Sequence, residues 1–562
     1  MVEKTKTLLR DKASARWTAL ILLSFAMFCA YIFMDILSPI KDMLESTRGW
    51  DSTAFGTYAG SETFLNVFIL FLIFAGIILD KMGVRFTAIL SGIVMLIGAT
   101  INWYAVTETF MGSSLELWFT ENLNYIPGFD ELGVSPFYRG MPASAKFASV
   151  GFMIFGCGVE MAGITVSRGI VKWFRGKEMA LAMGSEMALA RLGVATCMIF
   201  SPVIANAFGK PDVSRSVAFG LLLLMIALIA FIAYAFMDKK LDAQTGEAEE
   251  KDDPFRVRDL GKIFTSLGFW LVALLCVLYY SAIFPFQKYA VNMLQCNLTF
   301  IKPEEGSFWA SELVAIVQYV VMLVVAATAF ASNFVKKRQV QVSLLAVSII
   351  SLLVFCYMAY QRQSAESIFA VFPLLAVGIT PILGKYVDNK GKAASMLMLG
   401  SILLVVCHLT FAFILPEFKV DDVNNTDNIK NIGGVIVAFL TILVLGSSFS
   451  LVPASLWPSV PKLVDSKVIG SAYALIFLIQ NIGLWLFPLL IGKILDWSNP
   501  EIAQAVADGT MTSAEASISY DYTNPLIMLA MLGVAALILG FVLKAVDKKK
   551  GYGLELPNIQ AK

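Results

Sequence analysis

Histidine is nearly missing from this chain: His408 is the only one in 562 residues. A single imidazole argues against imidazole metal sites. It also leaves a Ser-His-Asp hydrolase or an acyltransferase with one base in an apolar stretch, LLVVCHLTFAF, and no carboxylate near it. Charge is scarce too. Lys, Arg, Asp and Glu make up 15% of the residues, against roughly 25% in a soluble domain. The seven cysteines are scattered, and only Cys296 falls in an expected outer loop, so no disulfide framework is implied. The net charge of +1 leaves no basic excess for nucleic acid. No metal or cofactor is expected.

What the chain has instead is apolar length. Hydrophobic residues reach 58%, the mean hydropathy is +0.73, and the apolar residues come in runs. A helix needs roughly 20 such residues to cross a bilayer. Windows of that length lie at 17–40, 54–79, 86–105, 147–171, 179–206, 216–237, 263–291, 309–334, 340–360, 366–387, 394–414, 434–458, 468–494 and 525–545. The pattern predicts an all-α polytopic membrane protein with about 14 transmembrane helices. The basic start, MVEKTKTLLRDKASAR, is followed by a span-length segment without a small-residue cleavage site, which reads as a first membrane helix and not a removable signal.

Alternate short loops hold the positive charge: Lys81 and Arg85; Lys172, Arg175 and Lys177; Lys336, Lys337 and Arg338; Lys385, Lys390 and Lys392; then Lys548, Lys549 and Lys550. The intervening loops are acidic or mixed. By the excess of Lys and Arg on the inner side of a membrane, both termini and the charged segment 238–262 are expected in the cytoplasm.

A motif occurs twice. GIILDKMGVR supplies Gly76, Asp80, Gly83 and Arg85; GKYVDNKGK supplies Gly384, Asp388 and Gly391 at the same spacing, again after a span and again on the basic side. The glycines suit close helix approach and a tight turn, and the carboxylate suits a helix N-terminus or a nearby base. Two copies at matching positions imply two related halves. The expected domains are a first bundle at 1–237, a cytoplasmic linker at 238–262, a second bundle at 263–545 with an inserted helix pair at 309–360, and a cytoplasmic tail at 546–562. A further insertion, 106–146, reads as an acidic, aromatic outer loop.

GIILDKMGVR resembles the signature loop of the major facilitator superfamily. The resemblance implies two six-helix bundles, here with the inserted hairpin in addition, and a gate at the repeated motif. The second copy departs from the pattern, with Ala393 where the basic residue would stand.

Ionisable groups at membrane depth usually face a cavity. Glu160 lies about 12 residues before the basic turn KWFRGKE and Arg191 about 13 after it, so both sit ~18–20 Å from that turn on adjacent helices. An acid and a base at one depth suit a zwitterion; the alternative is a structural ion pair. Asn481 lies at comparable depth in the other half, as a cavity group or an interhelical hydrogen bond. Trp457 is a pocket wall or an interfacial aromatic. Tyr279 and Tyr280 precede Pro285, read as a helix break. Asp35 and Glu62 are candidates for coupling carboxylates or gate partners, Arg168 and Glu186 for gate or surface residues, and His408 for a core or lipid-side residue.

Longer blocks are similar to the lysosomal dipeptide transporter family of that superfamily: WFRGKEMALAMGSEMALARLG, YYSAIFPF, GSSFSLVPASLWP and IGSAYALIFLIQNIGL, together with His408 and YIFMDILSP around Asp35. The resemblance implies carriage of short peptides by alternating access. Glu160 would take the ammonium, Arg191 the terminal carboxylate, and Trp457 a side chain. Phe152 replaces an arginine found early in the fourth helix of many facilitators, which leaves uniport and coupling through Asp35 or Glu62 both open. The rivals are an organic-anion carrier, with Glu160 structural, and a non-transporting receptor or scaffold. The expected partners are a dipeptide-like small molecule and the lipid bilayer; no accessory subunit is read from the sequence. The expected location is a bacterial cell membrane, with a lysosomal membrane as the alternative. Asn297 and Asn424 head glycosylation sequons on the outer side.

Overall fold

The computed structural model describes residues 8–557 except 123–138, 175–177, 246–262, 305, 336, 421–427 and 465–468. Arg175, Lys177, Lys336, Asn424 and most of the expected linker therefore lie outside the described residues. The described residues hold helices and no strand. In lipid each backbone N–H and C=O must find its partner within its own segment, and long apolar runs satisfy this as helices. In chain order these are α1 (Ala13–Met34), α2 (Ser52–Phe68), α3 (Phe71–Ala105), α4 (Ala143–Trp173), α5 (Met179–Ala205), α6 (Val213–Thr245) and α7 (Leu267–Asn297). After them come α8 (Glu312–Ser332), α9 (Arg338–Gln361), α10 (Val371–Lys390), α11 (Ala393–Leu409), α12 (Asn428–Leu463), α13 (Ile469–Ser498) and α14 (Thr523–Lys550).

Among the described residues thirteen helices are long and apolar enough to cross a membrane. The crossing expected at 54–79 is divided: α2 ends at Phe68, Leu70 adopts φ 56°, and the run resumes in α3. The chain then reverses inside α3, at Gly83, where φ is 79°. Neighbours on α4 show the reversal. Gly156 abuts Glu62, Arg168 binds Asp80, and Gly158 abuts Met95. The chain thus descends from Glu62 to Asp80 and climbs back by Met95. Counted this way, the helices make the fourteen crossings expected.

Helices α1–α6 form one bundle; α7 and α10–α14 form the other. The inserted pair, α8 and α9, packs as a hairpin. It has the least buried spans of the thirteen and rests between α5 and α10. Tyr319 on α8 meets Thr196 and Phe200 on α5, and Ala329 abuts Gly378 on α10. Large apolar side chains such as Ile229, Ile349, Leu440 and Ile538 are exposed around the outside, where lipid replaces water.

Three expectations need correction. The first bundle does not end at 237, because α6 continues through Thr245; Asp238 is buried there, held by Lys172 and Trp173. Pro285 does not break its helix: α7 runs through it. One missing N–H is tolerated where packed neighbours support the turn. Cys296 and Asn297 are buried in the last turn of α7 rather than in an outer loop, which also removes Asn297 as an accessible sequon.

Candidate functional site

Between the bundles lies a cavity of about 530 Å³, within the ~300–1,000 Å³ range of small-molecule sites. Each helix contributes at helical spacing. From α4 come Glu160, Gly163, Ile164 and Ser167; from α5 come Glu186, Met187, Ala190 and Arg191. Tyr280, Phe284, Gln287 and Lys288 project from α7, Trp457 from α12, and Phe477, Gln480 and Asn481 from α13. Asp35, Glu62 and Tyr31 complete the wall. Every substrate or coupling residue expected from sequence, namely Glu160, Arg191, Trp457, Asn481, Tyr280, Asp35 and Glu62, faces this one space.

Glu160 and Arg191 do not pair with each other among the described residues, so the structural ion-pair alternative does not describe this state. Glu160 accepts from Asn481 Nδ2 across the bundle interface (3.2 Å). Arg191 has aromatic neighbours: its guanidinium carbon lies 4.9 Å from the Phe284 ring centre, 4.8 Å from Phe449 and 5.6 Å from Tyr31. Trp457 donates from Nε1 to Tyr280 Oη (3.1 Å) and stacks on Phe477 (4.9 Å), so it is a cavity wall and not an interfacial residue. Glu186, expected at the gate or surface, also lines the cavity. Tyr279 belongs to the packing: it is buried and bonds Ser401. His408 is a core residue, with Nδ1 against the Leu404 carbonyl and its ring on Phe286.

Sequence reading missed Lys288. Its Nζ is 2.9 Å from Asp35 Oδ1 and 3.8 Å from Glu62 Oε2, and it donates to the Met34 carbonyl. Gln287 donates to Asp35 Oδ2 (2.7 Å). The available signal was a lysine inside an apolar span, in FPFQKYAV.

These contacts join the bundles on the face away from the basic turns. Further out, Asp496 on α13 accepts from Thr53 N and Oγ1 at the start of α2 (2.7 and 2.6 Å), where the helix N-terminus favours an anion. Tyr289 on α7 bonds the Ser52 carbonyl. Gly56, Gly60 and Gly492 let α2 and α13 touch backbone to backbone; an added Cβ at any of them would overlap the opposite carbonyl. Toward the basic face, Ser167 and Met187 are exposed. The cavity is therefore sealed on the far side and opens toward the basic one.

The expected gate residues lie at that open side. Asp80 pairs with Arg168, and Arg85 with Asp242, 2.9 Å apart, both inside the first bundle. Gly83 and Gly391 each take positive φ, 79° and 75°, but the turns are not identical, since in the second copy Lys392 follows with φ 66°. Gly76 and Gly384 abut nothing, so the close approach expected of them is not made in this state. Where Ala393 replaces the basic residue, the tail docks instead. Ala393 N and Lys392 N donate to the Leu554 and Glu555 carbonyls, and the Glu555 carboxylate takes Ser395 N at the start of α11. Asp388 lies at the end of α10 beside this turn.

Residues 23–365 match the Major Facilitator Superfamily. The chain is 22% identical over 496 residues to the lysosomal dipeptide transporter MFSD1 of Bos taurus, covering 86% of this chain and 80% of the relative. Against the human protein of that name it is 21% identical over 501 residues, covering 86% and 81%. Among solved structures, the fold is shared with a bacterial homologue of the human drug peptide transporters PepT1 and PepT2 (TM-score 0.54, 12% identity, 95% of this chain and 99% of that one). It is also shared with the nucleoside transporter NupG (TM-score 0.53, 13% identity, 94% and 98%). With that match across more than half its length, the chain belongs to the Major Facilitator Superfamily: it is a multi-pass membrane transporter, not an enzyme.

Proposed function

We propose that this transporter carries dipeptides, or small zwitterionic solutes like them, by alternating access. The observation that carries the reading is an acid and a base facing one cavity without neutralising each other. Among the described residues Glu160 has a neutral amide as its hydrogen-bond partner, and Arg191 lies against aromatic faces with no carboxylate within ion-pair distance. A charge partly withdrawn from water and left without a counter-ion is costly, and a zwitterion supplies both missing partners in one molecule. The name of the curated relatives, dipeptide transporter, points the same way.

Asn481 would hold the Glu160 carboxylate toward the solute. Tyr280 and Trp457, linked by their hydrogen bond, would wall the space for a side chain. Asp35 and Glu62, gathered on Lys288, are the groups whose protonation would couple to transport, if transport is coupled. Gly76, Asp80, Gly83 and Arg85, with Gly384, Asp388 and Gly391, would gate the basic side. We place that side in the cytoplasm, so this state is inward-open. The cell membrane is the location we favour; a lysosomal membrane, as in the relatives' name, is the alternative.

Thermal-shift measurement of the purified protein against dipeptides, free amino acids and organic acids tests this reading. Dipeptides should raise the melting temperature by mass action while simple organic anions leave it unchanged. The reverse ranking would favour the organic-anion carrier.

A further inference from the structure

We infer that Phe284 and Phe449 are positioning residues that keep Arg191 unpaired and aimed into the cavity, and that they do so from the opposite bundle. The inference rests on the dipeptide reading and adds to it how the carboxylate site is kept open. Arg191 belongs to α5 in the first bundle, whereas Phe284 and Phe449 belong to α7 and α12 in the second.

The two rings meet edge to face, with centres 5.7 Å apart at 81°, and each centre lies just under 5 Å from the guanidinium carbon. The separation of the ring centres makes them a corner and not a sandwich; Tyr31 of α1 adds a third, more distant ring at 5.6 Å, and the remaining sides of the cation are open. The corner is itself braced. Phe372 packs on Phe449, and Tyr280, tied to Trp457, packs on Phe284.

A ring face attracts a guanidinium through its quadrupole, but it neither neutralises the charge nor occupies a hydrogen-bond donor. The five N–H groups stay available for bidentate capture of a carboxylate. A competitor is close by. Glu186, on the same helix, also lines the cavity and forms no ion pair within 4.0 Å among the described residues. Without the rings, Arg191 would turn to Glu186 and the carboxylate site would be lost internally. Because the rings belong to the other bundle, rocking of the bundles must also take the corner away from Arg191.

The test compares a free dipeptide with its C-amidated form, binding each to the wild type and to variants by calorimetry. In Phe284→Leu and Phe449→Leu the preference for the free carboxylate should shrink roughly five- to thirtyfold, while Phe284→Tyr and Phe449→Tyr keep it. Adding Glu186→Gln to either Leu variant should restore the preference, because the competing carboxylate is gone. A Leu variant that does not fold is replaced by Met, whose flexible side chain fills irregular gaps while the ring is still removed. Leu or Met variants with the full wild-type preference would overturn the inference, whatever their melting temperatures. A wild type that binds both forms equally defeats the dipeptide reading instead.

Discussion

Lys288 reaches across the bundle interface to Asp35, with Nζ 2.9 Å from Oδ1, and the same ammonium lies 3.8 Å from Glu62. One cation from the second bundle thus gathers two carboxylates of the first and closes the cavity on its far side. Removing one member strands the others. Lys288→Met should therefore lower stability by up to about 3–5 kcal/mol. The double variant Lys288→Met, Asp35→Asn should lose less than the sum of the two single changes. Thermal unfolding in detergent checks this; additive losses would mean that the pair does not lock the bundles.

The basic face presents the converse case. Asp80 binds Arg168 of its own bundle, and Gly76 and Gly384 abut nothing, so the close helix approach proposed for the gate is not made while the far side is shut. Asp80→Asn should raise the inward-open population with little loss of folded protein. Accessibility of cysteines placed in the cavity is the readout, and an unchanged pattern would remove the motif from the gate.

Acid should stabilise this folded state through Asp51. Asp51 keeps an exposed edge, yet the protein around it and the nearby Asp496 push its carboxyl up to about 6, with Glu45 adding to the rise and Lys41 opposing it. A raised carboxyl favours the neutral form in this state. The folded chain thus gains stability over the unfolded one as pH falls through 6 toward the ordinary value of ~3.9. Between pH 7 and 5 the melting temperature of the wild type should rise relative to Asp51→Asn. Parallel curves would show that Asp51 does not titrate in the latch.

The orientation is tested by single cysteines. With the basic face in the cytoplasm, a cysteine at Lys337 should be protected from an impermeant reagent outside and one at Thr510 should react.

The spans were legible because an apolar run of bilayer length has no other stable form in lipid. The paired depth of Glu160 and Arg191 was legible because both can be counted from one basic turn. The division of the second crossing was not, since nothing in FILFLIFAG marks Leu70 for positive φ. Lys288 was not legible because a proline three residues before it reads as a helix end, while the helix continues to Asn297. The partnership of Asn481 with Glu160 spans 321 residues and follows from the packing of α13 on the first bundle. Phe284 and Phe449 are two among 42 phenylalanines; only the position of Arg191 distinguishes them.

The proposed carriage of dipeptides depends most directly on Glu160 and Arg191, which do not pair with each other, and one binding series tests them together. Each charge-assisted contact contributes ~1.5–3 kcal/mol, roughly ten- to over a hundredfold in affinity. Calorimetry of the wild type with a free dipeptide, its N-acetylated form and its C-amidated form should show both modified peptides weakened by that factor, and Arg191→Ala should bind none of them measurably. Equal binding of the acetylated and free peptides would contradict the account, because Glu160 would then hold no ammonium.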